Sequence, residues 1–129
     1  MVLLRGTLAV ACAALSISVA ADQAGDEAQL KVLRAEIVQL IGAAPCINLV
    51  HCRVVALGTR ACGGAAEYLA YSNLAGQSKR EAIEAKAYEY TFLYEDLQRA
   101  AKQVGACQVL SQPRPACVDG RCRIDAGVQ

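Results

Sequence analysis

Tryptophan is absent from the 129-residue chain, and phenylalanine, methionine and histidine occur once each. With His51 as the sole histidine and no Gly-x-Ser-x-Gly segment, a Ser/His/Asp nucleophilic site has no sequence support. Cys-x-x-Cys is missing too, which removes the usual basis for a thioredoxin-like dithiol. Charge of one sign is not in excess: 13 Lys and Arg stand against 12 Asp and Glu. That balance argues against nucleic acid, which favours a clustered positive excess, and gives no general pull towards anionic membranes. No apolar run reaches the roughly 20 residues needed to span a bilayer.

The N-terminus reads as an export signal. Arg5 is followed by an apolar core, Leu8 to Leu15, and then by Val19, Ala20 and Ala21, the small residues that signal peptidase selects. Cleavage before Asp22 removes residues 1–21 of 129 and leaves 108, one small domain over 22–129. Only Arg5 among the basic residues precedes the cut, so the mature part is formally neutral. Cys12 follows Ala9, Val10 and Ala11 and offers an alternative, lipid attachment, although the usual Leu three residues before the cysteine is missing.

Six cysteines remain after Cys12: Cys46, Cys52, Cys62, Cys107, Cys117 and Cys122. An even number in a small exported chain implies a disulfide framework. Asp119-Gly120 is a strong two-residue hairpin signal. It sets Cys117 opposite Cys122 at a non-hydrogen-bonded position, where Cα atoms approach to about 4.5 Å, so a Cys117–Cys122 bridge is expected. The other four cysteines allow three pairings, of which Cys62–Cys107 with Cys46–Cys52 is favoured.

The apolar pattern predicts an α+β fold with helices over about 26–41 and 78–104. In the first, Leu30, Leu33, Ile37, Leu40 and Ile41 form one face, Asp26 is the expected N-cap and Gly42 the stop. Ser78 and Glu81 read as a capping box for the second. Its stripe runs through Ile83, Ala87, Tyr90, Tyr94, Leu97, Ala101 and Val104 to Gly105. Short antiparallel strands are expected at about 50–57, 66–72, 107–112 and 115–124.

Few residues suggest a site. His51 beside Cys52 invites a metal or thiol reading, but the cysteine spacing lacks the close pairs of zinc sites. No cofactor is expected. Carboxylates of the long helix interleave with Lys86, Arg99 and Lys102 as on a solvated face. Tyr88 and Phe92 lie off the apolar stripe four residues apart and are the best candidate partner surface. Arg114, Arg121 and Arg123, with Arg53 and Arg60, raise the idea of an anion site. Asp119 and Asp125 offset them, and charges on a strand edge also deter aggregation.

Two segments, CRVVALGTRACGGAAEYLAYS from Cys52 to Ser72 and ACQVLSQPRPACVDGRC from Ala106 to Cys122, resemble a group of small, uncharacterised, cysteine-rich exported bacterial proteins. That group carries a Cys-Gly-Gly, Tyr-Leu-x-Tyr-Ser segment and a Cys-x-x-Gly-x-Cys-like ending. Ala65 stands where its pattern has proline. The resemblance implies export and a place in the bacterial envelope, and supplies no activity or site residues.

The expected function is therefore a non-catalytic periplasmic or secreted protein that binds another protein or envelope component. An enzyme or metal/thiol site at His51 with unpaired cysteines is the alternative, and a self-associating structural envelope component is a third reading.

Overall fold

The computed structural model describes residues 15–102, 109 and 111–125, with side chains from Asp22 onward. The order of elements is α1 (Leu15–Ile41), β1 (Cys52–Thr59), β2 (Ala65–Ser72), α2 (Gln77–Ala100), β3 (Arg114–Val118) and β4 (Arg121–Asp125), with short 3-10 turns at Leu49–His51 and Asn73–Ala75. This is the expected α+β architecture: among the described residues, two helices and two separate two-stranded antiparallel sheets.

In α1, Leu33 and Ile37 are buried one turn apart, and Gly42 ends the helix at φ 57°, its N–H reaching Val38 O. The start differs from expectation. The helix runs from Leu15 straight through Asp26, which is therefore interior and not the N-cap. Alanine-rich sequence on both sides favours the helix, and a lone Gly25 costs only about 1 kcal/mol.

The α2 start also needs correction. Gly76, at φ 90°, occupies the cap position without a side-chain cap, and the helix begins at Gln77. Gln77 Nε2 donates to Glu81 Oε1 at 2.7 Å, taking up the carboxylate that a Ser78–Glu81 box would use. The helix is 24 residues long, about 36 Å. Lys102, at φ 49°, follows its end. The extension to Val104 and Gly105 lies outside the described residues, as do positions 107, 108 and 110 of the strand expected over 107–112, whose described positions 109, 111 and 112 form no strand.

Strand parity organises the core. In the β1–β2 ladder, Arg53 pairs with Tyr71, Val55 with Leu69 and Leu57 with Glu67, whereas Cys52 pairs with Ser72 and Val54 with Ala70. Successive residues point to opposite faces. From the first set Val55, Leu57 and Tyr71 face the helices and pack with Ile37, Ile83 and Ala87, while Arg53, at the strand's end, is exposed. The second set carries Cys52 and Ala70 to a smaller cluster with Ala44, Cys46 and Cys122. The β1–β2 ribbon is thus the middle layer, with helices on one face and the β3–β4 hairpin against one end of the other.

Polar contacts fix these layers. Thr91 Oγ1 accepts from Gly58 N at 3.0 Å, and Thr59 Oγ1 donates to Glu95 Oε1 at 3.2 Å, tying β1 to α2. Arg34 makes a two-pronged contact with Glu67, including Nε to Oε2 at 3.0 Å. Lys86 Nζ bridges the helices to Glu36 at 2.7 Å.

Candidate functional site

The β3–β4 hairpin forms on the predicted turn. Asp119 and Gly120 adopt φ 52° and 72°, Val118 pairs with Arg121, and Cys117 pairs with Cys122. The two cysteines project to one face, and that face rests on the chain around Cys46 and Cys52. Cys46 N donates to Gly120 O at 2.9 Å and Cys122 N to Ala44 O at 2.7 Å, so the segment before β1 extends the hairpin sheet by an isolated bridge, Pro45 to Arg121.

The bridges are Cys46–Cys117 and Cys52–Cys122, with Cα separations of 6.0 and 5.4 Å. They replace the expected Cys117–Cys122 and Cys46–Cys52 pairs. Facing residues in a ladder share a face, and here a second segment lies over that face and offers each sulfur its own partner. Cys62 is also disulfide-bonded; Cys107, the partner expected for it, lies outside the described residues.

The result is a ring of two disulfides and the segments 46–52 and 117–122. Its exposed arc is apolar. Ile47 is 82% exposed, Val50 65% and Leu49 56%. Such exposure runs against burial preference, and the arc holds its shape through a web of local bonds. Asn48 Oδ1 accepts from Val50 N at 3.1 Å. Asn73 Nδ2 donates to Val50 O at 3.2 Å, fastening the arc to the turn that also carries the exposed Leu74. Ser72, buried, donates through its hydroxyl to Pro45 O and accepts from Leu74 N.

His51 belongs to this web. Its Nδ1 accepts from Ile47 N at 3.1 Å, which leaves Nε2 to carry the ring proton in the neutral form. It acts as a structural acceptor for the arc. Cys46, Cys52 and Cys122 have sulfurs within 4.8 Å of one another, a spacing that suits a metal, but all three are in disulfides and have no thiolate to give. Every cysteine among the described residues is so bonded, so the thiol reading finds no nucleophile there.

A groove of about 640 Å³ runs beside the arc, lined among others by Ile47, Leu49, Val50, Arg53, Arg114 and Asp125. Arg53 thus joins Arg114, as the arginine reading anticipated. Arg60 does not: it follows Thr59 at the far end of the ribbon, its N–H bonded to Gly64 O.

Tyr88 and Phe92, the other candidate surface, are 76% and 58% exposed on α2. Tyr90 and Tyr94 stack with ring centroids 6.0 Å apart and are partly buried. Burial first, then a neighbouring carboxylate, holds Tyr71 and Tyr90 protonated above the ordinary tyrosine range; the carboxylates are Glu84, hydrogen-bonded to the Tyr71 hydroxyl, and Glu67. Sequence reasoning did not single out Ile47, Leu49 and Val50. Their signal was partly present: Ile47 and Leu49 are apolar residues between two cysteines, whereas Val50 was placed at the start of the strand expected over about 50–57, which begins only at Cys52 because Leu49–His51 form a 3-10 turn. No described helix is long and apolar enough to cross a membrane. No protein-family model, curated protein or solved structure matches the chain.

Proposed function

We propose that the protein is an exported, non-catalytic recognition module of the cell envelope, cleaved before Asp22, that engages another protein. The observation that carries this reading is the exposure of Tyr88 and Phe92 one helical turn apart on α2. Aromatic side chains bring large contact area at low entropic cost and are enriched at interface hot spots. The disulfides support an oxidising compartment, and the resemblance to small exported proteins points the same way.

Capture from envelope extract tests it. Wild-type protein recovers one dominant partner under cross-linking, and Tyr88→Ala with Phe92→Ala loses it while melting at the wild-type temperature. Equal recovery by both proteins, or none by either, refutes the reading.

A further inference from the structure

The apolar arc and its arginines are left over by a helix-borne protein interface, and they have a chemistry of their own. We infer that the Ile47–Val50 arc is a peripheral docking site for a lipid surface with anionic headgroups.

Three observations converge on that occupant. The exposed residues are aliphatic, Ile47, Leu49 and Val50, and Leu74 is exposed on the turn that Asn73 ties to Val50. Interface hot spots favour Trp, Tyr and Arg and are poor in Leu and Val, whereas branched aliphatic groups partition readily into the headgroup–acyl boundary. The flanking charge is cationic. Arg53 and Arg114 line the groove beside the arc with one carboxylate, Asp125, the cross-strand partner of Arg114, which leaves one positive charge in excess there. Guanidinium groups bind phosphate with two parallel hydrogen bonds. Finally, the arc is held at both ends by Cys46 and Cys52, each bonded to the same hairpin, so little conformational freedom is lost on insertion.

Overall neutrality does not oppose this. Attraction to a charged surface fades within a Debye length, about 8 Å at physiological salt, so the charges nearest the arc decide. Each arginine held near an anionic surface strengthens binding about fivefold.

Co-sedimentation of the oxidised, exported protein with vesicles is the test. Phosphatidylglycerol-rich vesicles bring down the wild type, pure phosphatidylcholine vesicles do so far less, and rising salt weakens the binding. Ile47→Asp with Val50→Asp reduces it more than tenfold, and Arg53→Gln with Arg114→Gln reduces it about twenty-fivefold. The milder Ile47→Ser and Val50→Ser give partial loss, and unchanged melting shows that each variant folds. Tyr88→Ala with Phe92→Ala leaves vesicle binding intact, which separates this site from the protein-binding reading. Failure of the wild type to bind anionic vesicles at low salt overturns the inference, as does wild-type binding by the Ile47/Val50 aspartate variant. Loss of a captured protein by the arc variants, with vesicles ignored, overturns it in favour of a protein occupant.

Discussion

Cys117 and Cys122 face each other across the β3–β4 ladder, yet neither is bonded to the other. Each reaches instead across to the segment that enters β1, and the two bridges connect the same two short stretches of chain. The first to form closes a loop of some 70 residues, since the sequence separations are 71 and 70. The second then closes only a ring of about a dozen residues.

Removal of the bridges is therefore non-additive. In the chain-entropy picture either bridge alone supplies about 4 kcal/mol and the second adds about 3. Cys46→Ala with Cys117→Ala, or Cys52→Ala with Cys122→Ala, should each cost about 3 kcal/mol. The quadruple variant should lose about 7, read from urea midpoints. Additive losses of about 4 kcal/mol for each pair would mean that the bridges act on separate loops.

Gly58 sits at φ 66°, and a Cβ there would lie 3.1 Å from both Ala66 Cβ and the Tyr94 ring. Left-handed backbone alone costs an L-residue about 1–2 kcal/mol. Gly58→Ala should exceed that, at about 3 kcal/mol, because a ring and a strand must also move. A loss of 1 kcal/mol or less in chemical denaturation would show that Tyr94 rotates away freely.

Ser78 is inside α2, one residue past its start, with its expected partner Glu81 already bonded to Gln77. Ser78→Ala should be neutral or slightly stabilising. A working capping box would make the same change cost about 1 kcal/mol. Thermal melting of the two proteins decides between them.

Tyr71 and Tyr90 stay protonated in the folded protein to higher pH than in the unfolded chain. Above about pH 10, the ordinary tyrosine value, the unfolded state sheds these protons first. Their contribution to stability is thus complete below that pH and falls as pH rises through the folded-state values. Melting temperature should decline in alkali more steeply for wild type than for Tyr71→Phe with Tyr90→Phe. With no tryptophan in the chain, phenolate absorbance follows the same ionisation directly.

The local grammar of this fold was readable, and its assembly was not. Leu33, Ile37, Ile83 and Ala87 announce their buried faces by helical spacing, and Asp119-Gly120 announces its turn by residue type; both are consequences of a few neighbouring residues. Cysteine pairing is different. That Cys117 turns from Cys122 to Cys46 depends on one hairpin lying over a segment 70 residues away, which no short window contains. The capping box failed for a local reason that spacing alone misses: two donors, Gln77 and Ser78, compete for one carboxylate. The exposure of Tyr88 and Phe92 was legible because they fall outside the stripe, whereas that of Ile47, Leu49 and Val50 goes with the bridges that fasten their segment at each end.

Those bridges also change what a protease could accomplish. A cut anywhere between Cys46 and Cys52 leaves both new ends fastened to the same hairpin. No fragment departs: the nicked chain stays a single covalent molecule, heavier by one water, with the helices and the ribbon still joined.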